Sequence, residues 1–124
     1  MPNPMEKPRA LRVPVRIPLR LRLVKSPVGE KPEPELHNGN NLMSNLSRSG
    51  FFLSTKNFFE VRSILELEFP IENLEEVLRV EAEVVRAEHH NFPNHGRFEY
   101  GLQFTGMHPH FREVLNGYLK VFGG

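Results

Sequence analysis

The chain has 124 residues, 16 Lys and Arg against 15 acids for a formal net charge of +1, and 39% hydrophobic residues. That is one domain's length with enough apolar material for a core. It contains no Cys and no Asp, and no apolar run nears the roughly 20 residues of a membrane-spanning helix. Disulfide staples, thiolate metal sites, Asp-dependent triads and insertion as a membrane helix are thereby excluded. The absence of cysteine and of an apolar leader over Met1–Lys7 points to the cytoplasm.

Residues 1–11 carry three prolines and little apolar material, which predicts a flexible N-terminal arm ahead of a domain over 12–124. From Arg12 to Leu23, Val13, Val15, Ile17, Leu19, Leu21 and Leu23 alternate with Arg12, Pro14, Arg16, Pro18, Arg20 and Arg22. Period two predicts a strand with one buried face and one arginine-rich face. Pro14 and Pro18 lack N–H donors, so the strand is expected at a sheet edge, at least at its start. Lys25–Asn41 is polar and rich in Pro, Glu, Asn and Gly, and reads as a long loop.

Two short apolar pieces then flank Asn45-Leu46-Ser47-Arg48-Ser49-Gly50, whose small polar residues and glycine predict a turn. Leu65, Leu67 and Phe69 alternate with Glu66 and Glu68 up to Pro70, and Val80, Ala82 and Val84 alternate with Arg79, Glu81 and Glu83. The alternation slips at Val84-Val85, as a β-bulge would make it. A loop over His89–Gly96 precedes a strand from Phe98 to Phe104. Phe111, Val114, Leu115, Tyr118, Leu119 and Phe122 then fall on one helical stripe, with Pro109 in its first turn and Gly123-Gly124 as its stop. Gly117 within this helix is expected to mark close packing against a neighbour. The economical solution is a small antiparallel β-barrel closed over at one end by a C-terminal helix, about 108–122, because closure removes sheet edges.

The near-zero total charge hides an asymmetry. Lys7–Lys25 holds seven basic residues and no acid, whereas Glu60–Glu88 holds nine Glu against Arg62, Arg79 and Arg86. Such a local basic segment favours a small anionic ligand over long nucleic acid, for which a pI of 8.2 is low. The ten Phe mostly alternate inward or lie on the helix stripe instead of interleaving with the arginines, which argues against a single-stranded nucleic-acid binder. No nucleophile elbow, phosphate loop, dinucleotide fingerprint or zinc-protease motif occurs, and the Glu residues read as outward-facing, so no enzyme and no catalytic residues are expected. His89, His90, His95, His108 and His110 match no standard metal template, and no metal site is expected. The basic row and the Asn-Ser-Gly turn supply complementary groups. Arginine forks donate two hydrogen bonds to a phosphate or guanine edge, Asn and Ser bond a base edge, and Gly lets a ligand approach the backbone.

These features resemble the PilZ domains, bacterial receptors for the second messenger cyclic di-GMP. That family's ligand site is defined by R-x-x-x-R near the N-terminus and [D/N]-x-S-x-x-G on the following strands; Asn45–Gly50 matches the second at every fixed position. Phe51-Phe52-Leu53, Tyr100-Gly101-Leu102-Gln103-Phe104 and the closing helix also look like the family, over roughly residues 9–122. The resemblance implies a six-stranded PilZ-like barrel and a non-enzymatic signalling module with cyclic di-GMP as ligand and no other cofactor. It also implies an effector protein as partner and a site of Arg9, Arg12, Arg16, Asn45, Ser47 and Gly50. R-x-x-x-R occurs at Arg12–Arg16 and at Arg16–Arg20, but the family's usual alignment makes Arg12 the second arginine, with Pro8 four residues earlier. Arg9 or Arg16 is then expected to supply the other guanidinium. The alternative is a PilZ-like protein-interaction adaptor, in pilus or motility control, that binds no nucleotide.

Overall fold

The computed structural model describes residues 12–71, 75–88 and 97–122, with the backbone alone at 12 and 13. Its strands are β1 (Arg12–Val13), β2 (Ile17–Lys25), β3 (His37–Ser44), β4 (Leu46–Ser47), β5 (Gly50–Thr55), β6 (Ile64–Pro70), β7 (Val77–Glu88) and β8 (Phe98–Met107), followed by helix α1 (Pro109–Phe122). Six of them close into an antiparallel barrel in the order β2-β3-β5-β8-β7-β6, and β1 and β4 form a separate two-stranded ribbon. The expected barrel with one C-terminal helix is therefore the observed architecture.

Alternation builds the interior. Leu19, Leu21 and Leu23 from β2, Leu65, Leu67 and Phe69 from β6, and Leu78, Val80, Ala82 and Val84 from β7 all point inward and are buried. Each intervening residue faces out, where cross-strand charges meet: Arg22 Nε lies 2.9 Å from Glu66 Oε1, and Glu68 is shared by Arg20 and Arg79 at 3.0 and 2.7 Å. These two guanidinium contacts hold the Glu68 carboxyl below its ordinary range, with the Arg79 hydrogen bond the larger cause. Tyr100 is the largest fully buried side chain; its hydroxyl accepts a 2.9 Å hydrogen bond from Phe59 N–H, and burial pushes the phenol's pKa up. α1 closes the core with Leu115, Tyr118 and Leu119.

Three local expectations change and a fourth holds. The first strand is broken: Pro14–Arg16 separates β1 from β2, so the two halves of the arginine row belong to different sheets. The long loop is shorter than expected, because β3 begins at His37. Its polar residues are held by a buried network in which Thr55 Oγ1 donates to Asn41 Oδ1 at 2.6 Å and Asn57 Nδ2 donates to both. Hydrophobic alternation cannot reveal a strand stabilised in this way. At Gly117 a Cβ would meet nothing within 4 Å, so close packing is not the reason for that glycine. The expected slip at Val84-Val85 is present as a register shift between Val84 and Arg86. Residues 1–11, 89–96 and 123–124, and with them the arm, Arg9, the histidine-containing loop and the helix stop, lie outside the described residues.

Candidate functional site

The turn from Asn45 to Gly50 is built by a division of labour among its residues. Asn45 adopts φ +50, a left-handed conformation that Asn tolerates better than most side chains, and this swings the chain from β3 into β4. Leu46 is fully buried and pins the turn to the core. The Ser47 hydroxyl donates to Gly50 O at 3.1 Å and accepts from the Ser49 and Gly50 N–H groups at 3.3 Å each. One donor and two acceptor positions are a hydroxyl's full capacity. Ser47 Oγ also lies 3.3 Å from Ser49 Oγ, so its bonds in this structure all lie within the turn. Gly50 is required by proximity, where a turn conformation was expected: a Cβ there would lie 1.8 Å from the Leu102 carbonyl oxygen across the β5–β8 ladder.

The β1–β4 ribbon brings the basic segment to this turn. Its register sets Arg12 opposite Ser47 and Val13 opposite Leu46. Arg16 does not join them; it is exposed and lines a different cleft, with Pro18, Arg20 and Arg97. Arg20 and Arg22, the other members of the row, are paired with Glu68 and Glu66.

Beside the turn is a cleft of about 340 Å³ lined by Asn45, Ser47, Ser49, Gly50, Phe51, Phe52, Val85, Arg86, Gly101 and Leu102. Its floor follows from strand pairing. Gly101 lies between Phe52 on β5 and Arg86 on β7, and the Arg86 guanidinium stands 5.4 Å from the Phe52 ring centroid across it. Arg86 Nε also pairs with Glu88 Oε1 at 2.9 Å. The bulge at Val85 helps set Arg86 on this outer face. The Arg86 guanidinium lies over the Phe52 ring, and Asn45 and Ser49 give the cleft a polar edge. Such a site can stack and hydrogen-bond a planar heterocycle while attracting negative charge. Sequence reasoning detected the bulge but not Arg86 as a site residue, because its neighbours come from two other strands.

Two histidines of sequence interest remain, His108 and His110. His110 Nε2 pairs with Glu76 Oε2 at 2.7 Å, and His108 Nδ1 accepts from His110 N–H at the start of α1. Among the described residues no three potential metal ligands gather. No described helix is long and apolar enough to cross a membrane.

Comparison with known proteins adds the decisive observation. The family model described as "PilZ domain" matches residues 6–120. The chain belongs to the PilZ domain family. The matched span covers the barrel, the ribbon, the turn and most of α1. Among solved structures, this PilZ chain is similar to the Bacillus subtilis inhibitor of motility (MotI/DgrA), with a TM-score of 0.66 and 17% sequence identity over 98% of its length. It spans 56% of that protein, and at this identity the likeness is one of fold. A comparison with curated proteins gives no match.

Proposed function

We propose that the chain is a non-enzymatic signalling module that binds cyclic di-GMP between its N-terminal arginines and the Asn45–Gly50 turn. The observation that carries this reading is the register of β1 on β4, which sets Arg12 opposite Ser47 within the family's second ligand motif. In this reading Arg12, with Arg9 or Arg16, takes the phosphates and a guanine edge. Asn45 offers its amide to a guanine. Ser47 and Gly50 hold the turn in shape, and Phe52 with Arg86 receives a base. Arg16 can join only if Pro14–Arg16 rearranges, so Arg9 is the better second guanidinium. Binding holds the arm against the barrel and changes the surface offered to an effector protein, since residues 14–16 alone separate β1 from β2.

Titration calorimetry with cyclic di-GMP tests the proposal. A saturable isotherm is expected, and Arg12→Ala should weaken it by about tenfold to a hundredfold, the worth of one charge-assisted hydrogen bond of ~1.5–3 kcal/mol. No heat at millimolar nucleotide refutes it. Undiminished binding by Arg12→Ala refutes the assignment of that residue. A flat isotherm selects the second reading, a protein-interaction adaptor, which is favoured by Pro8 standing where the family's usual alignment has its first arginine.

A further inference from the structure

A second cleft, on another part of the barrel wall, has a different character. It holds about 640 Å³ and is lined by Pro18, Leu19, Leu42, Pro70 and Val77, with Arg16, Arg20 and Arg97 among its polar residues. Its origin can be read from the register. β2 and β6 pair from Arg20↔Glu68 inward, and continuing that register outward would set Pro18 opposite Pro70. Neither residue has an N–H to donate, and the pairing stops before them. Pro18 is still paired with Leu42 of β3, and Pro70 with Val77 of β7, so each wall is held from its other side. The barrel seam is thus parted at one end by two prolines.

The charge around this opening is unbalanced. Among the described residues lining the cleft Glu68 is the one acid, and it is already shared between Arg20 and Arg79. The Arg97 guanidinium is fixed by neutral oxygens, those of Ser54 and the Asn40 carbonyl. Among the described residues no carboxylate pairs with Arg97 or with the exposed Arg16. Among the described lining residues the apolar surface is aliphatic, with no aromatic ring on which a base could stack, which separates this cleft from the one beside Phe52.

We infer that the parted seam is a docking groove for an acidic, extended peptide segment of a partner protein, which places an aliphatic side chain over Pro18, Pro70 and Val77 and carboxylates on Arg16 and Arg97. The inference does not rest on nucleotide binding, and its test uses no nucleotide. The full chain, isotopically labelled, is titrated with a capped eight-residue peptide alternating Glu and Leu, and amide shifts are followed by NMR. Saturable shifts are expected at residues 16–20, 38–42, 70–71, 75–77 and 97. Arg16→Glu and Val77→Asp, both at exposed positions, should each weaken binding at least tenfold while leaving the rest of the spectrum in place. A peptide with Lys replacing Glu should not bind.

Four results would overturn the proposal. They are no saturable shifts at millimolar peptide; binding unchanged in both variants; equal binding by an all-Glu peptide, which would make this a surface that reads charge alone; and the same shifts from guanosine monophosphate, which would make it a small-molecule site. Sedimentation of the peptide-free chain adds a check. Concentration-dependent dimerisation abolished by Arg16→Glu would assign the groove to a second copy and also overturn the proposal.

Discussion

Gly50→Ala adds one carbon and removes no interaction, so its effect isolates the reason a glycine occupies the last position of the motif. An ideal Cβ at residue 50 would lie 1.8 Å from Leu102 O, 2.9 Å from Leu102 C and 3.1 Å from Gln103 Cα, all backbone atoms of the neighbouring strand β8. A carbon–oxygen contact needs ~3.3 Å, so the start of β5 must withdraw by roughly 1.5 Å. That movement strains the Gly50↔Gln103 and Phe51↔Leu102 pairs, the 2.8 Å bond from Phe104 N–H to Ser49 O, and the Ser47 hydroxyl bonds to Gly50. Losing two or three hydrogen bonds, with buried partners left unsatisfied, costs about 3–5 kcal/mol. For a domain of this size that is about 10–20 °C in Tm. Urea unfolding with a linear fit measures it directly, and an unchanged m-value would show that the two-state transition is intact. A variant within about 1 kcal/mol of the parent would refute the close-approach argument and return Gly50 to a role in ligand access alone.

Three further perturbations probe other parts of the molecule. Gly117→Ala should stabilise by about 1 kcal/mol, because the position is in mid-helix, exposed and without a neighbour within 4 Å, and a lower Tm would show that the helix needs that glycine. Leu19→Ala removes a side chain that is 3% exposed, and should cost about 2–5 kcal/mol in urea unfolding while weakening ligand binding only through unfolding. Glu68 has its folded-state pKa depressed by Arg79 and Arg20, so its contribution is present above the unfolded carboxyl pKa and is lost as pH falls through the lower folded value. The stability gap between the parent and Glu68→Gln should therefore shrink with acidification below about pH 4.5, and a gap independent of pH would contradict the pairing.

Much of the barrel was legible because four of its strands, β2, β6, β7 and β8, carry hydrophobic alternation for a physical reason: one side of each faces a dry interior. Leu65-Glu66-Leu67-Glu68-Phe69 shows this as clearly as any segment. The same logic fails where burial is polar. Asn41 is 1% exposed and Thr55 fully buried, yet neither is apolar, so the start of β3 reads as loop until their mutual hydrogen bonds are seen. It fails again at Pro14–Arg16, where alternation continues across a break that only pairing can reveal. The motif turn was visible as turn chemistry, but the roles within it were not. Ser47 and Gly50 act on backbone atoms two and three residues away or on another strand, and Arg86 meets Phe52 across Gly101 from a different strand.

The distribution of hydrogen bonding around that turn bears on what a ligand can change. The barrel is closed through six strands, and β1 and β4 form a ribbon outside that closure. β1 pairs with β4 over two residues, Arg12↔Ser47 and Val13↔Leu46, and its backbone also lies near α1. A ladder of two residue pairs holds less backbone bonding than a barrel strand with two neighbours. The turn opposite it is anchored by buried Leu46 and by the Ser47 hydroxyl bonds. A preformed turn and a basic segment on a short ladder suit a ligand whose binding free energy is to be spent on placing the arm and not on reshaping the barrel.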